Sequence, residues 1–143
     1  MTSPPDESAA AKFPLSREPS IRVIMMPKDT NAYGTIFGGV ILSFIDQAGA
    51  VEAHRHGAEF IVTVAMREVV FHEPVYVGDL VSFYTRLVRI GTTSITIAVE
   101  VFSQPGEGLG KRVRVTEAEV TFVNLDKNRR PTPITKKSVV SSQ

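Results

Sequence analysis

The sequence predicts an α+β domain in which one buried helix lies across an antiparallel sheet. Residues 40–55 carry apolar side chains at helical spacing, and almost every face of this segment is apolar or small. Several later segments are rich in β-branched residues or alternate apolar with polar side chains, as half-buried strands do. Long strands with one apolar face need a cover, which a single apolar helix supplies. The 143 residues, of which 43% are hydrophobic, suffice for one such domain.

The predicted order of elements is a strand, the helix and then a meander of long strands. Pro27 ends the first strand, and Gly57 suits the left-handed position that ends a helix. A phase change near Glu117 in the last strand predicts a β-bulge. The helix has more apolar surface than one sheet covers, so a second subunit is expected to pack nearby. The expected bounds are 21–26 for the first strand, 40–55 for the helix, 60–71, 80–90, 94–102 and 112–125 for the other strands, 75–79 for a turn between strands, 1–19 for a mobile tail and 128–143 for a solvated tail.

Composition excludes several classes of function. A formal net charge of +1 gives no electrostatic case for nucleic acid. The absence of cysteine excludes disulfides, thiolate zinc sites and thiol catalysis, and the three histidines have no metal-ligand spacing. No apolar run reaches transmembrane length, and residues 1–11 lack the features of a signal peptide. We therefore expect a cytoplasmic protein without a metal and without a membrane partner.

Asp46 is the most informative residue of the predicted helix. Its neighbours one turn away are Leu42, Ser43, Gly49 and Ala50, none of which offers a positive charge. Burying an ionised carboxylate in such surroundings is costly unless it is hydrogen-bonded or takes part in chemistry. Two interpretations stay open at this point, a catalytic carboxylate or a structural one that is bonded across a subunit interface.

The residues around this helix resemble acyl-CoA thioesterases of the hotdog fold. The similarity is to the branch that includes the bacterial YciA-type enzymes and the cytosolic acyl-CoA hydrolases. It covers residues 20–127 in the right order, so that the domain limits are a tail at 1–19, a hotdog domain at 20–127 and a tail at 128–143. The motifs that carry it are Met26 to Gly39, Ile41-Leu42, Ile45-Asp46, Phe71 to Val75, Val77 to Asp79, Gly91 to Ser94 and Thr116 to Ala118.

The resemblance implies a fold, an assembly and a reaction. The family fold is a long helix wrapped by an antiparallel sheet, and two units form a double-hotdog dimer that often assembles into a trimer of dimers. Acyl-CoA is hydrolysed to the free acid and CoA at the dimer interface, with no cofactor, since CoA is part of the substrate. The family's catalytic residues fall on Asp46 and Asn31, which act on one thioester from opposite subunits. From the sequence alone, Asn31 would be taken as a turn residue.

Other candidate binding residues each have a simpler structural interpretation. The amides of Gly38 and Gly39, at the helix start, suit a developing oxyanion, although a tight turn explains the glycines equally. In the family, the region that matches Thr92, Thr93 and Ser94 lies along the pantetheine and phosphate groups of bound CoA. An ordinary hairpin turn explains these three residues equally. Arg112, which alternation places on one face with Arg114, suits CoA phosphates or a solvated surface.

Two alternative functions remain open in the sequence. One is a non-catalytic acyl-CoA-binding or regulatory protein of the same fold, against which the presence of both Asn31 and Asp46 argues. The other is a hydratase or dehydratase of the same fold. That class uses a histidine in the loop before the helix, whereas His72 lies at a strand end and is expected to be structural. Glu52 and Glu117 are polar residues in apolar surroundings and receive no role.

Overall fold

The computed structural model describes residues 14–106 and 110–135. These residues form one helix and a single five-stranded antiparallel sheet, which confirms the predicted fold class. A short 3₁₀ turn, Pro27–Asp29, lies between the first strand and the helix. The elements are β1 Ile21–Ile24, α1 Gly38–Arg55, β2 Ile61–Phe71, β3 Leu80–Ile90, β4 Ser94–Gln104 and β5 Val113–Asn124.

The strand order in the sheet is β1-β3-β4-β5-β2. The predicted meander is therefore limited to β3, β4 and β5, because β2 pairs with β5 and forms the far edge of the sheet. The predicted turn at 75–79 is present, since the Asp79 amide donates to the Tyr76 carbonyl and Gly78 has a positive φ of 90°. It does not join paired strands, however, because β2 lies at one edge of the sheet whereas β3 lies three strands away, between β1 and β4.

The core lies between α1 and one face of the sheet. Ile41, Ile45 and Ala48 are buried on the helix, and they meet the apolar face of the central strands. Gly49 allows the close approach of the helix, because a Cβ there would lie 3.1 Å from the ring of Phe122. The strand residues of this face are Val81, Phe83, Ile95, Ile97, Val99, Val101, Val115, Ala118, Val120 and Phe122.

A bulge in β5 explains the phase change in its sequence. Val101 pairs with Thr116, whereas the next residue of β4, Phe102, pairs with Arg114, so Val115 is the extra residue. The bulge lies two residues from the predicted position and turns the side chain of Val115 into the core.

The helix is less enclosed than the sequence predicts. Gly39, Ser43, Gln47 and Val51 form an exposed stripe along α1 at four-residue spacing. The edge strand β2 is also open, and its exposed side chains include Val62, Val64, Val70 and Phe71. Within one subunit, the apolar side chains of β2 and Val51 of the helix therefore remain uncovered.

Some residues near the described ends of the chain contact the sheet. The amides of Ser16 and Ser20 donate to carbonyls of β3, at 2.9 and 2.8 Å. Ile134 is buried in the core, and its amide donates to the Thr92 carbonyl at 3.1 Å. The mobile tail at 1–19 and the solvated tail at 128–143 stay predictions, since Arg129, Arg130 and Pro131 are exposed whereas Ser16 and Ile134 contact the sheet. Residues 1–13 and 136–143 lie outside the described residues.

Candidate active site

Asp46 lies in the middle of α1, on the side of the helix that faces the edge strand. Its Oδ1 accepts a hydrogen bond of 2.6 Å from the hydroxyl of Thr63 in β2. The residue is partly exposed, and no Lys, Arg or His of the described residues forms an ion pair with it. The carboxylate is thus held by one hydroxyl beside an open edge of the sheet, without a cation to neutralise it.

Thr63 is a residue that the sequence did not single out. Threonine is common in strands, and its spacing carries no sign of a contact with a helix. The contact arises because β2 pairs with β5, which brings the core-facing side of β2 over the middle of α1. Nothing in the local pattern could have found it without that pairing.

The N-terminus of α1 is open. Phe37 occupies the N-cap position, and no side chain caps the helix there. Among the described residues, no acceptor contacts the amides of Gly38 and Gly39. A Cβ at Gly39 would meet nothing within 4 Å, whereas one at Gly38 would lie 3.2 Å from the ring of Phe71. The free amides and the positive end of the helix dipole can hold a negatively charged oxygen.

Gly39 and Asp46 lie on the same side of the helix. They are seven residues apart, which is close to two turns and about 10 Å along the axis. Because helical side chains lean toward the N-terminus, the carboxylate of Asp46 points back toward the free amides. The helix therefore presents an oxyanion-binding end and a carboxylate along one open surface.

A cavity of about 320 Å³ lies beside this helix start. Its lining is mostly apolar and includes both Gly38 and the ring of Phe71, which pack closely together. The volume lies at the lower end of the range for small-molecule pockets. The lining residues are Ile36, Gly38, Ile41, Phe71, His72, Glu73, Pro74 and Val75.

Asn31 is engaged in its own loop. Its Oδ1 accepts from the amides of Tyr33 at 2.8 Å and Thr35 at 3.2 Å, and its Nδ2 donates to the Thr35 hydroxyl at 2.8 Å. This is the turn chemistry that the sequence suggested for it. Within the described part of the chain, no hydrogen bond joins Asn31 to Asp46, so one subunit does not bring the two residues together.

The segment Gly91–Ser94 forms a tight hairpin at the other end of the molecule. The Gly91 amide donates to the Ser94 carbonyl at 2.8 Å, and the Thr93 carbonyl accepts from the Asn124 amide at 2.8 Å. The side chain of Asn124 in turn accepts from the amide of Phe60, just beyond the end of α1. Since α1 has 18 residues and is about 27 Å long, Thr92, Thr93 and Ser94 are remote from Gly38 in the same subunit.

Arg112 and Arg114 have different partners. Arg112 donates to the phenol oxygen of Tyr84 at 3.0 Å and stacks over the ring of Phe102 at 4.4 Å. Arg114 lies 3.5 Å from both Glu100 and Glu117, so the acids of the same sheet face partly neutralise it. Of the two arginines, only Arg112 has no acidic partner among the described residues.

Two further polar clusters involve His72, which also lines the cavity, and Glu52. Nε2 of His72 donates to Glu117 at 2.9 Å at the end of β2, which is a structural contact. Glu52 is buried at the C-terminal end of α1, where burial by itself would raise its pKa. Hydrogen bonds from His56, Thr85 and Arg55 outweigh this effect and lower the pKa to about 2.

No group of three or more His, Asp or Glu residues in the described ranges could hold a metal ion.

Comparison with known proteins gives a consistent result. The profile of the thioesterase superfamily matches residues 33–110. The acyl-CoA thioester hydrolase YciA of Salmonella typhimurium is 41% identical over 116 residues, which cover 80% of this chain and 87% of that protein. A hexameric hotdog fold thioesterase of Campylobacter jejuni superposes with a TM-score of 0.77 at 44% identity, over 82% of this chain and 90% of that one.

A more distant relative bears on the two polar residues. The acyl-CoA hydrolase of Staphylococcus aureus has been solved with one asparagine and, separately, with one aspartate replaced by alanine, at positions 15 residues apart. Both structures are 26% identical to this chain and cover 81% of it, with TM-scores of 0.74 and 0.73, and the match covers 69% and 71% of those chains. Asn31 and Asp46 are separated by the same number of residues.

Proposed function

Because this chain belongs to the thioesterase superfamily, we propose that it hydrolyses acyl-CoA to a free carboxylic acid and CoA. The observation that carries the proposal is the surface of α1, where a carboxylate without a cationic partner follows an uncapped helix N-terminus by two turns. The relatives of this branch are named acyl-CoA thioester hydrolases. The reaction needs water and no cofactor, and the compartment is the cytoplasm. No helix in the described residues is long and apolar enough to cross a membrane.

Asp46 supplies the reactive carboxylate. It acts either as the base that takes a proton from water as the water attacks the thioester carbonyl, or as the nucleophile itself. In the base route the water oxygen bonds to the acyl carbon, the C–S bond breaks, and the proton taken by Asp46 passes to the leaving thiolate of CoA. In the nucleophile route the carboxylate oxygen bonds to the acyl carbon, the thiolate leaves, and water then hydrolyses the mixed anhydride to release the acid and restore Asp46. The amides of Gly38 and Gly39 stabilise the developing oxyanion, because they are free and lie at the positive end of the helix. Single turnover in oxygen-18 water separates the two routes, since label enters the enzyme carboxylate only after direct attack.

Asn31 acts on the thioester from the partner subunit. Two copies pack through the open edge strand β2 and the exposed stripe of α1, which covers their apolar surplus and closes the surface that bears Asp46. Three such dimers form a hexamer, the state of the Campylobacter jejuni relative. The equal spacing of the asparagine and aspartate replaced in the Staphylococcus aureus hydrolase supports the choice of these two residues.

The cavity beside Gly38 receives the acyl group. Its volume of about 320 Å³ suits on the order of ten heavy atoms, if each takes about the 30 Å³ share of a water molecule. Its apolar lining and its position next to the free amides fit a short or medium acyl chain whose carbonyl lies at the helix start.

Thiol release from a panel of short, medium, long and aryl acyl-CoAs tests the proposal. Asp46→Ala and Asn31→Ala are each expected to lower kcat by about 10²–10⁴-fold, the usual contribution of a positioned acid–base group. Asn128→Ala, which alters an exposed residue of the turn after β5, far from the helix start, serves as the control. Near-normal turnover of Asp46→Ala would contradict the assignment, and tight binding of acyl-CoA without thiol release by the unaltered protein would identify a binding protein instead.

A further inference from the structure

A cluster of two arginines and a tyrosine lies on the sheet face opposite the helix. Phe83 of β3 packs on Phe44 of α1, so the next residue, Tyr84, points to the other face. Its phenol oxygen accepts from Nη1 of Arg112 at 3.0 Å and from Nη2 of Arg22 at 3.4 Å. The two arginines come from opposite ends of the domain sequence and converge on one neutral oxygen atom.

Neither arginine has an acidic partner among the described residues. The ion pairs of these residues include neither Arg22 nor Arg112. The carboxylate opposite Tyr84 in the strand pairing, Glu100, is directed to Arg114 at 3.5 Å. The two guanidinium nitrogens lie less than 7 Å apart, since each is within 3.4 Å of the same oxygen. Two unneutralised like charges at this distance repel each other, and an anion between them would remove the repulsion.

The side chains of the cluster are held in place. Tyr84 is only 7% exposed, and its ring meets that of Phe102 edge to face at 5.7 Å. Arg112 stacks over Phe102 at 4.4 Å, and Nε of Arg22 donates to the hydroxyl of Ser82 at 2.9 Å. Both guanidinium groups are exposed to solvent, and most of their N–H donors make no contact within the described residues. The cluster thus presents pre-positioned, free guanidinium donors.

We propose that Arg22, Arg112 and Tyr84 form a binding site for a phosphate group. Guanidinium forks match the oxygens of phosphate in geometry and charge, and the spacing of the two arginines suits one phosphate or a diphosphate. The phosphate belongs either to the substrate's own CoA portion or to a separate phosphate-bearing molecule. The sheet separates this site from Asp46 of the same chain. A substrate phosphate bound here would therefore reach Asp46 around the sheet edge or in another subunit.

Binding of inorganic pyrophosphate to the full-length chain, measured by calorimetry at low ionic strength, tests the site. Arg22→Gln and Arg112→Gln are each expected to weaken the Kd about tenfold, the effect of losing one charge-assisted contact of about 1.4 kcal/mol. Arg114→Gln is the matched control, because it removes the same charge from the same face but from an arginine with acidic partners. Absence of pyrophosphate binding to the unaltered chain, or an equal loss in Arg114→Gln, would overturn the proposal.

Steady-state kinetics identify the source of the phosphate, and only this step rests on the proposed hydrolysis. If the site holds the CoA portion, both Gln variants raise KM for acyl-CoA and leave KM for the matching acyl-pantetheine unchanged. If it holds a separate molecule, pyrophosphate binding is lost while both KM values stay the same. A chain that hydrolyses no acyl-CoA would refute the proposed function but leave the calorimetric result standing. If the variants change the oligomeric state and the unaltered chain binds no pyrophosphate, the arginines belong to a subunit interface instead, and the site is refuted.

Discussion

Asp46 shows how a helix of small and apolar residues accommodates a carboxylate. An unpaired charge in a closed core would cost several kcal/mol, because it loses its hydration. The structure avoids this cost by placing Asp46 on the open side of α1, where it is partly exposed and accepts one short hydrogen bond from Thr63. The carboxylate is therefore oriented by the protein but is not neutralised, which is the condition a base or nucleophile needs.

The hydroxyl of Thr63 is expected to position Asp46 for catalysis. In Thr63→Val, which keeps the shape but removes the donor, kcat on acyl-CoA should fall roughly three- to thirtyfold. The carboxylate would lose the one side-chain hydrogen bond that the described residues give it. Thr63→Ser keeps the hydroxyl and serves as the control, with kcat within about twofold of the unaltered enzyme. Unchanged kcat in Thr63→Val would show that this bond is structural only.

The C-terminal end of α1 is fixed by a buried network around Glu52. The carboxylate accepts from Nη1 of Arg55 at 2.6 Å, Nε2 of His56 at 2.7 Å and the hydroxyl of Thr85 at 2.9 Å. Since a carboxylate can only accept, Nε2 of His56 carries the hydrogen. Ser20 contacts the hydroxyl of Thr85 at 2.8 Å, so the network also ties down the segment that precedes β1. Helix, strand and N-terminal segment are thus joined at one buried carboxylate.

This network predicts an acid-dependent loss of stability. The pKa of Glu52 is about 2 in the folded chain and near 4.5 when unfolded, so its contribution is complete above about pH 5 and falls as the pH approaches 2. Between pH 5 and pH 3, the free energy of unfolding should fall by on the order of 2 kcal/mol more in the unaltered protein than in Glu52→Gln. Urea titrations at both pH values measure this difference, and parallel losses in the two proteins would contradict it.

The edge strand β2 contains a strained residue. Arg67 pairs with Glu119 and Val70 with Glu117, which leaves one extra residue in this part of β2. Glu68 takes up this excess with a φ of 58°, in the left-handed region that favours glycine. Such a bulge bends the strand and interrupts its open edge.

Glu68→Gly is expected to stabilise the fold by about 1 kcal/mol, because glycine adopts this conformation without steric cost. The same substitution at Glu119, in the regular part of β5, should destabilise the fold by about 0.5–1 kcal/mol. Chemical denaturation of both variants measures the contrast. Equal destabilisation by the two substitutions would show that the strain at Glu68 is negligible.

The elements that could be predicted from the sequence are those whose pattern is local. The helix and the three long strands β3 to β5 follow from periodicity, and the bulge at Val115 follows from a break in it. The pairing of β2 with β5 could not be predicted, because a crossing connection leaves no local sign. The contact of Thr63 with Asp46 and the meeting of Arg22 with Arg112 depend on strand pairing for the same reason.

At the scale of the whole molecule, one subunit is incomplete in two respects. Its edge strand exposes apolar side chains beside the helix that carries Asp46, and Val51 of that helix is exposed as well. Its Asn31 is bound within its own loop and makes no hydrogen bond to Asp46 in the described structure. The symmetric dimer that we propose would resolve both, because one isologous interface would cover the exposed strand of each subunit and would create two equivalent sites.

Subunit mixing tests whether Asn31 and Asp46 act across that interface. Asn31→Ala and Asp46→Ala subunits, each nearly inactive alone, are co-expressed or exchanged in equal amounts. If the residues act from opposite subunits, half of the dimers are mixed and each mixed dimer has one site with both residues, so activity should return to about one quarter of the unaltered level. If they act within one chain, no intact site can form, and activity stays at the level of the single variants. Mixing changes neither variant subunit. The recovered activity therefore reports whether the two residues of one site come from the same subunit or from opposite subunits.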